Sequence, residues 1–226
     1  MISKLEHTVA LLQRIAREFS PATLASSLGA EDMVLTDLVA RHAPDLTIFS
    51  LDTGRLNPET YDLLAKVQET YGGKVKLEIY YPQADVIQFF VEKNGINAFY
   101  NSVEMRKNCC GIRKVEPLGR ALQGKKAWIT GIRRSQSEDR ANLAFEEFDD
   151  HYGMLKFNPL ADWSEKEVWE YIRSNNVPYN ELHDKHYPSI GCAPCTRSIA
   201  MGEDIRAGRW WWENESMKEC GLHVKK

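Results

Sequence analysis

Short apolar segments alternate with amphipathic helical patterns along much of this 226-residue chain. Buried strands are predicted at 23–27, 46–51, 75–81 and 127–131. Strands that are separated by helices pair in parallel and carry helices on both faces of the sheet. The sequence therefore predicts an α/β fold built on a parallel twisted sheet.

The predicted helices lie between these strands and on either side of them. The S-x-x-E capping box occurs at Ser3 and at Ser164, each time before an amphipathic segment. Other helices are predicted around 33–39, from Pro58, around 86–91 and over 116–122. The length suits one domain over residues 1–226, in which the loop-rich part beyond about residue 176 is a C-terminal extension.

Composition narrows the possible partners and the compartment. The net charge of −3 provides no general basic field for nucleic acid. The sequence has neither a signal-peptide pattern nor an apolar run of the roughly 20 residues that a membrane span needs. We therefore expect a cytoplasmic protein without a membrane or nucleic-acid partner, in a compartment that disfavours structural disulfides.

The loop after the first predicted strand is a candidate anion site. It contains Ser26, Ser27, Gly29 and Asp32 and leads into a helix. Serine hydroxyls and the free amide groups at a helix N-terminus suit a phosphate, and ligands of doubly wound sheets bind at the carboxyl ends of the strands. An ordinary capped turn is the alternative, and the loop lacks the Walker pattern.

The loop after the second strand, Leu51-Asp52-Thr53-Gly54, should open on the same edge of the sheet. Its sequence is typical of a turn. On the predicted ligand edge, however, it could also hold a ribose or a base.

Two adjacent arginines follow the fourth strand. Arg133 and Arg134, with Gln136 beside them, offer fixed positive charge and bidentate geometry to phosphate or sulfate oxygens. Surface pairing with Glu138 and Asp139 is the alternative. Because neighbouring side chains diverge, we expect one of the two arginines to reach the ligand directly.

Four of the five cysteines occur in two pairs, Cys109-Cys110 and Cys192-x-x-Cys195. A vicinal disulfide with a redox C-x-x-C, a zinc site and an iron–sulfur cluster are the three interpretations. Adjacent cysteines can each bind a different iron of a cubane, which favours iron–sulfur over zinc. Nearby cations such as Lys114 would offset the charge of the thiolates.

The fifth cysteine, Cys220, lies near the chain end beside a glycine. Such a thiol can move, and His223, Arg206 or Arg209 would lower its pKa and favour the nucleophilic thiolate. An inert surface cysteine is the alternative. The run Trp210–Trp212 cannot face one core, so at least one ring should cap a base, line a cleft or meet a partner, unless the run forms a corner packed from two sides.

Taken together, these segments resemble the phosphoadenylyl/adenylyl-sulfate reductase family, in particular its assimilatory, thioredoxin-dependent adenylyl-sulfate (APS) reductases with a [4Fe–4S] cluster. The matching motifs follow family order: SLGAED at 27–32, LDTGRL at 51–56, KNCCGIRK at 107–114, GIRRSQS at 131–137, GCAPCTR at 191–197, GEDIRAGRWWWE at 202–213 and ECGLH at 219–223. Asn57 departs from the family, which often has histidine there.

The resemblance implies an adenine nucleotide alpha-hydrolase-like fold and a sulfonucleotide substrate. It places the adenosine across the loops of Ser26–Asp32 and Leu51–Gly54, and the phosphosulfate toward Arg133, Arg134 and Lys114. It also implies that a [4Fe–4S] cluster is held by four cysteines: Cys109, Cys110, Cys192 and Cys195.

The resemblance further assigns the chemistry to the segment 200–226, which is expected to be mobile. Cys220 attacks the sulfur, AMP leaves, and thioredoxin or glutaredoxin releases sulfite from the S-sulfocysteine. Arg206, Arg209 and His223 border the reacting groups. The implied role is APS reduction in sulfate assimilation and cysteine biosynthesis, with the oligomeric state left open.

Three alternatives remain at the level of sequence. Reduction of the 3′-phosphorylated substrate PAPS, or dual specificity, is the nearest, although that branch usually lacks the two cysteine pairs. An ATP-pyrophosphatase-type sulfur-transfer enzyme would show S-G-G-x-D-S at the first loop. A metal-binding interaction module would leave the ECGLH motif and the arginine pair unexplained.

Overall fold

A computed structural model describes residues 3–137 and 140–213 of the chain. Its centre is a six-stranded sheet with the strand order β3-β2-β1-β4-β6-β5. The strands are β1 (Ala22–Ala25), β2 (Thr47–Leu51), β3 (Leu77–Tyr80), β4 (Ala127–Ile129), β5 (Glu146–Asp149) and β6 (Met154–Phe157). The helices are α1 (Lys4–Glu18), α2 (Ala30–His42), α3 (Pro58–Tyr71), α4 (Ala84–Asn94), α5 (Val103–Cys110), α6 (Glu116–Leu122) and α7 (Glu165–Asn175).

The central strands pair in parallel, as predicted. β1 pairs in parallel with β2 and with β4, and β4 pairs in parallel with β6. The middle of this sheet is made of apolar side chains such as Leu24, Ile48 and Ile129, all of them buried. Because their side chains are apolar on both faces, these strands need helices on both sides to exclude water. The α/β fold class is confirmed.

The sequence analysis did not predict two of the strands, β5 and β6. β5 pairs antiparallel with β6, with Glu147 opposite Lys156. The β5 sequence EEFD is acidic and only half-buried, so it lacks the apolar run that indicates a central strand. Charged residues are typical of an edge strand, where they discourage pairing with another sheet.

A buried polar cluster connects three of the helices. Asp37 on α2 accepts hydrogen bonds from Tyr71 Oη on α3 at 3.0 Å and from Tyr171 Oη on α7 at 2.7 Å. Arg41 pairs with the same carboxylate at 2.8 Å. Burial raises the pKa of both tyrosines, so they remain donors to Asp37.

The chain separates into two compact units. The first comprises 1–50, 59–78 and 122–180 and contains the large apolar core. The second comprises 51–58, 79–121 and 181–226 and contains a small core of aromatic rings and cysteines. The single domain expected from the sequence stays a prediction. None of the helices in the described part of the chain has the length and hydropathy of a membrane span.

Candidate functional site

In the first unit, the loop after β1 folds back on the carboxylate of Asp32. Ser27 donates to Asp32 Oδ2 from both its backbone amide and its hydroxyl, each at 2.7 Å. The Leu28 amide donates to Ser26 Oγ at 3.3 Å. Gly29 is the N-cap residue of α2 and has no side chain that could accept a hydrogen bond from the first amide groups of the helix. This arrangement suits an anion at the start of α2, with Asp32 fixing the loop.

A glycine allows the end of β4 to approach this loop closely. A Cβ atom at Gly131 would overlap Asp32 Oδ1 and come within 3.0 Å of the Glu31 side chain. Any larger residue would therefore push the loop after β4 away from the start of α2. Gly131 brings the two predicted ligand loops of this unit side by side.

Burial has a marked effect on the Asp32 carboxyl. It raises the pKa of Asp32 from 3.8 to about 6, against the lowering effect of the Ser27 hydrogen bonds. Between about pH 4 and 6 the folded state therefore keeps a proton that the unfolded state loses. A group of this kind contributes stability at low pH, and that contribution is lost as pH rises through the folded pKa.

We expect Asp32→Asn to flatten part of the pH dependence of stability. Relative to the variant, the wild-type free energy of unfolding should fall by about 2 kcal/mol between pH 4 and pH 7, because most of the roughly two-unit difference between the folded and unfolded pKa of Asp32 is lost over that range. Urea unfolding at a series of pH values measures the difference. The exposed Asp45→Asn is the matched control. Parallel curves for wild type and Asp32→Asn would contradict this assignment.

The two adjacent arginines diverge, as expected from the sequence. Arg133 is buried and donates to Glu31 Oε1 from Nε at 2.8 Å, and its Nη2 lies 2.7 Å from the same oxygen. Gln136 Nε2 donates to that oxygen at 3.1 Å. Arg134 instead donates to the Leu143 carbonyl at 2.8 Å. That one of the two arginines contacts the sulfate stays a prediction, and the alternative partners at 138 and 139 lie outside the described residues.

In the second unit, the turn after β2 is held by its own side chains. The Gly54 amide donates to Asp52 Oδ1 at 2.7 Å, and Gly54 has a φ of +70°, which favours glycine. The Arg55 amide donates to Thr53 Oγ1 at 3.2 Å. Leu51, the last residue of β2, is half-buried. The turn therefore has a fixed shape, with the Thr53 side chain buried inside it.

Thr53 connects this turn to the cysteines. Its Oγ1 lies 3.2 Å from Cys192 Sγ, and its carbonyl accepts a hydrogen bond from Arg113 Nη1 at 2.6 Å. The sequence suggested a contact between Thr53 and the nucleotide. The structure shows in addition that its hydroxyl contacts one of the paired cysteines.

The two cysteine pairs converge on one cavity. Cys109 and Cys110 end α5, and a π-helical turn over Gly111–Val115 continues directly from them. Cys192 comes directly before a short 3₁₀ turn, Ala193–Cys195, and Cys195 is the last residue of that turn. All four are free thiols, and the same cavity is lined by five cationic side chains: Arg55, Arg106, Arg113, Lys114 and Arg209.

Backbone hydrogen bonds fix the C-x-x-C loop in place. The Ala193 amide donates to the Arg55 carbonyl at 2.8 Å, and the Trp210 amide donates to the Cys195 carbonyl at 3.1 Å. Thr196 Oγ1 donates to the Cys192 carbonyl at 3.0 Å. The positions of both cysteines are therefore set by the backbone.

The thiols of this cavity differ in their acidity. Burial raises the pKa of Cys192, but Lys114 and the Thr53 hydroxyl outweigh it, and the net pKa is lowered. Burial raises the pKa of Cys195 to about 12, with a further contribution from neighbouring cysteines. Neighbouring thiolates repel one another, so all four thiols would lose their protons only if a bound metal cation offset their charge.

The donor set fits an iron–sulfur cluster. No three His, Cys, Asp or Glu residues within 3–137 and 140–213 are arranged to hold a single metal ion. A [4Fe–4S] cluster takes its four thiolates on separate irons, so the sulfurs need only surround a common space. The four free cysteines and the cations of this cavity provide that arrangement.

A buried ion pair holds the last described residues against the cysteine cavity. Arg106 donates to both carboxylate oxygens of Glu213, at 3.0 and 2.7 Å, and both side chains are almost fully buried. The Arg106 and Arg209 guanidinium groups each lie 4.7 Å from the Trp210 ring. Glu213 is thereby fixed shortly before Cys220. Cys220 itself lies outside the described residues.

The other site residues predicted near the C-terminus differ in burial. Arg209 is buried and Arg206 half-buried, while His223 lies outside the described residues. Trp210 lines the cavity, whereas Trp211 is exposed. Trp212 packs against Tyr100, with the two ring centroids 4.5 Å apart. The three tryptophans thus occupy different surroundings.

Comparison with known proteins identifies the family. The model of the phosphoadenosine phosphosulfate reductase domain matches residues 21–198. The chain belongs to this family. It is 54% identical over 215 residues to the adenosine 5'-phosphosulfate reductase of Allochromatium vinosum, covering 95% of this chain and 83% of that protein. It is 52% identical to the Burkholderia cepacia protein of the same name, covering 99% of this chain and 89% of that protein.

Solved structures of this reductase family and of more distant proteins share the fold. The phosphoadenylyl-sulfate reductase of Candida auris has a TM-score of 0.73 and 30% identity, over 85% of this chain and 90% of that one. Yeast FAD synthetase has a TM-score of 0.54 and 16% identity, over 86% of this chain and 67% of that one. The second likeness shows the fold alone.

Sequence reasoning missed several residues of this candidate site. Arg106 and Glu213 form their buried pair across a long stretch of sequence, so no local pattern signals it. Arg55 was noted only as part of a motif, yet its carbonyl fixes Ala193 and its guanidinium lies 5.0 Å from the Phe99 ring. The one available signal was the presence of arginine in the segments that carry the cysteines.

Proposed function

We propose that this chain reduces adenylyl sulfate to sulfite and AMP, with electrons from thioredoxin or glutaredoxin. The observation that carries the proposal is the convergence of both cysteine pairs on one cation-lined cavity. The adenosine 5'-phosphosulfate reductases that resemble the chain at 54% and 52% identity, over nearly its whole length, support the same activity. The enzyme would serve sulfate assimilation and cysteine biosynthesis in the cytoplasm.

The cofactor of the proposal is a [4Fe–4S] cluster, for which the ligands would be Cys109, Cys110, Cys192 and Cys195. A bound cluster would supply a fixed charge and a structural centre close to the sulfate. Thr53 would remain beside one ligand sulfur, and Lys114 and Arg209 would offset part of the negative charge of the thiolates.

The substrate part of the proposal follows the loops that the sequence singled out. The adenosine would bind along the turns that contain Ser26–Asp32 and Leu51–Gly54. The phosphosulfate would meet Arg133 or Arg134, with Lys114 also directed to it. The open start of α2 and the fixed turn at Asp52–Gly54 support this assignment.

The reaction then runs through Cys220. Its thiolate attacks the sulfur of the substrate, an S–S bond forms, the S–O bond to AMP breaks, and AMP leaves with the electron pair. One thiolate of reduced thioredoxin next attacks Cys220 Sγ, and sulfite leaves with the electrons of that S–S bond. The second thioredoxin thiol closes the thioredoxin disulfide and returns the Cys220 thiol. His223, Arg206 and Arg209 would keep Cys220 ionised.

Positive charge is what makes the first step feasible. A thiolate that approaches an anionic sulfate to about 4 Å is opposed by about 4 kcal/mol per like-charged pair at an effective dielectric constant of about 20. Fixed cations offset that repulsion, and they do not have to reorganise during the reaction. The chain supplies them locally although its net charge is −3.

A second candidate substrate is PAPS, because the Candida auris structure of 30% identity is a phosphoadenylyl-sulfate reductase. Anaerobically purified protein should be assayed for sulfite with either nucleotide and reduced thioredoxin. We expect turnover of APS with a kcat/KM at least about tenfold above that for PAPS. A higher kcat/KM for PAPS would make PAPS the substrate instead of APS. No turnover of either nucleotide would overturn the proposed function.

A further inference from the structure

One arginine in the second unit contacts both a cysteine of the cavity and the end of the described chain. Arg106 and Cys110 are four residues apart on α5, so their side chains lie on one face of the helix. The Arg106 guanidinium hydrogen-bonds to the Cys110 sulfur and donates to both carboxylate oxygens of Glu213. Arg106 therefore connects a proposed cluster ligand with a residue that lies seven positions before Cys220.

The turn that ends at Glu213 has a conformation that its surroundings must maintain. Trp210 has a φ of +43°, in the left-handed region that residues other than glycine rarely adopt. Its amide donates to the Cys195 carbonyl at 3.1 Å, and its carbonyl accepts from the Glu213 amide at 2.8 Å. Such a conformation persists only where packing holds it. Trp210 is 1% exposed, and its ring lies 4.7 Å from the guanidinium groups of Arg106 and Arg209.

The pair of Arg106 and Glu213 is suited to fixing a direction. The two side chains are 0% and 3% exposed, and two nitrogens of one guanidinium meet two separate carboxylate oxygens. Two parallel hydrogen bonds orient the carboxylate as well as hold it. A buried ion pair often adds no net stability over apolar side chains of similar volume, which leaves a geometric role for it.

A fixed Glu213 limits the region in which Cys220 can react. Seven residues of chain span at most about 25 Å, so the Cys220 thiol has to meet the sulfur within that distance of Glu213. A reacting group that is misplaced by about 1 Å can lose about 100-fold in rate. The point and the direction from which the chain continues beyond Glu213 therefore affect the attack on sulfur.

We propose that Arg106 and Glu213 are positioning residues, which set the point from which the segment carrying Cys220 leaves the cysteine cavity. The proposal rests on the proposed role of Cys220 as the nucleophile. The hydrogen bond between Arg106 and Cys110 connects this point to α5, so the placement of the nucleophile follows the placement of a cluster ligand.

A second ion pair of the same unit provides a comparison. Arg197 also makes two hydrogen bonds to one carboxylate, that of Glu203, each at 2.9 Å. These side chains are 38% and 35% exposed, and neither of them lines the cysteine cavity. The two pairs thus share their geometry and differ in burial and in what they hold.

The test measures how fast Cys220 acquires the sulfonate. Anaerobic protein is mixed with APS without reductant, quenched at a series of times, and analysed by mass spectrometry of the Cys220 peptide. Glu213→Gln keeps the shape of the side chain but removes its charge, and it should slow adduct formation at least about tenfold. Its APS affinity and iron content should equal those of the wild type, because no nucleotide loop or cysteine changes. Glu203→Gln is the matched control and should stay within about twofold of the wild-type rate.

Two further measurements report on the pair without catalysis. In hydrogen exchange, the Trp210 and Glu213 amides should exchange faster in Glu213→Gln than in the wild type, because the turn opens more often. Arg106→Lys, which cannot make the two-bond contact, should show the same changes and should also alter the absorption spectrum of the cluster through Cys110. Thermal unfolding verifies that each variant is folded, and Arg106→Lys serves as the test if Glu213→Gln does not stay folded.

Several results would overturn the proposal. They are wild-type rates of adduct formation in both folded variants, unchanged exchange of the Trp210 and Glu213 amides, and an equal effect of the Glu203→Gln control. An APS affinity that falls in proportion to the rate would assign the pair to substrate binding and remove the positioning role. A wild type that forms no adduct on Cys220 would overturn the proposed function as well.

Discussion

Replacing Cys220 by serine is expected to reduce sulfite production by at least about four orders of magnitude, as the loss of a catalytic nucleophile does. A serine hydroxyl stays protonated at neutral pH and attacks sulfur poorly. A sulfate ester on serine would in addition offer thioredoxin no S–S bond to attack. The measurement is sulfite release from APS with excess reduced thioredoxin.

The controls separate chemistry from folding. Cys220→Ser should retain the iron content, nucleotide affinity and thermal unfolding of the wild type, because the four proposed ligands are unchanged. Ser216→Ala, in the same segment, should keep full activity. Wild-type sulfite production by Cys220→Ser would remove the proposed nucleophile and with it the sulfocysteine route.

Replacing Cys110 or Cys195 by serine is expected to remove the cluster. Iron and acid-labile sulfide should drop from about four of each per chain to a small fraction, since a cubane needs all four thiolates. The unfolding temperature should drop as well, because both cysteines are buried, Cys195 belongs to the small core of the second unit, and metal binding contributes to folding. Elemental analysis and calorimetry of anaerobically purified protein measure both effects.

Cys220→Ser is the matched control for these two variants, because it removes a thiol without removing a proposed ligand. Thr53→Val probes the neighbouring hydroxyl. It should keep the iron but change the absorption spectrum, since Thr53 Oγ1 lies 3.2 Å from Cys192 Sγ. Unchanged iron in Cys110→Ser or Cys195→Ser would contradict the ligand assignment, and zinc in place of iron would contradict the cluster.

The parallel part of the fold was readable from the sequence because its signals are local. Apolar runs such as that around Ile48 mark buried strands, and the capping boxes at Ser3 and Ser164 both form. The β5–β6 hairpin was not readable. Its edge strand β5 contains glutamate and aspartate, which do not indicate a strand by themselves. They are accommodated because β5 pairs with β6, and no local pattern in the sequence signals that pairing.

The site was predictable as a set of residue types but less so as a set of contacts. The spacing of cysteines indicated a cluster, and the divergence of Arg133 and Arg134 was expected from backbone geometry alone. The buried pair of Arg106 and Glu213 was not, because its partners are distant in sequence. The contact between Thr53 and Cys192 was missed for the same reason. Local sequence patterns do not indicate which residues that are distant in sequence will pair.

The central claim is that the sulfonate passes from the nucleotide to Cys220. Protein mixed with APS in the absence of any reductant, quenched in acid and digested, should yield a Cys220 peptide heavier by one SO3 group. One equivalent of AMP should be released, and reduced thioredoxin should remove the added mass and produce sulfite. An unmodified Cys220 after AMP release, or an SO3 group on a different cysteine, would contradict the account.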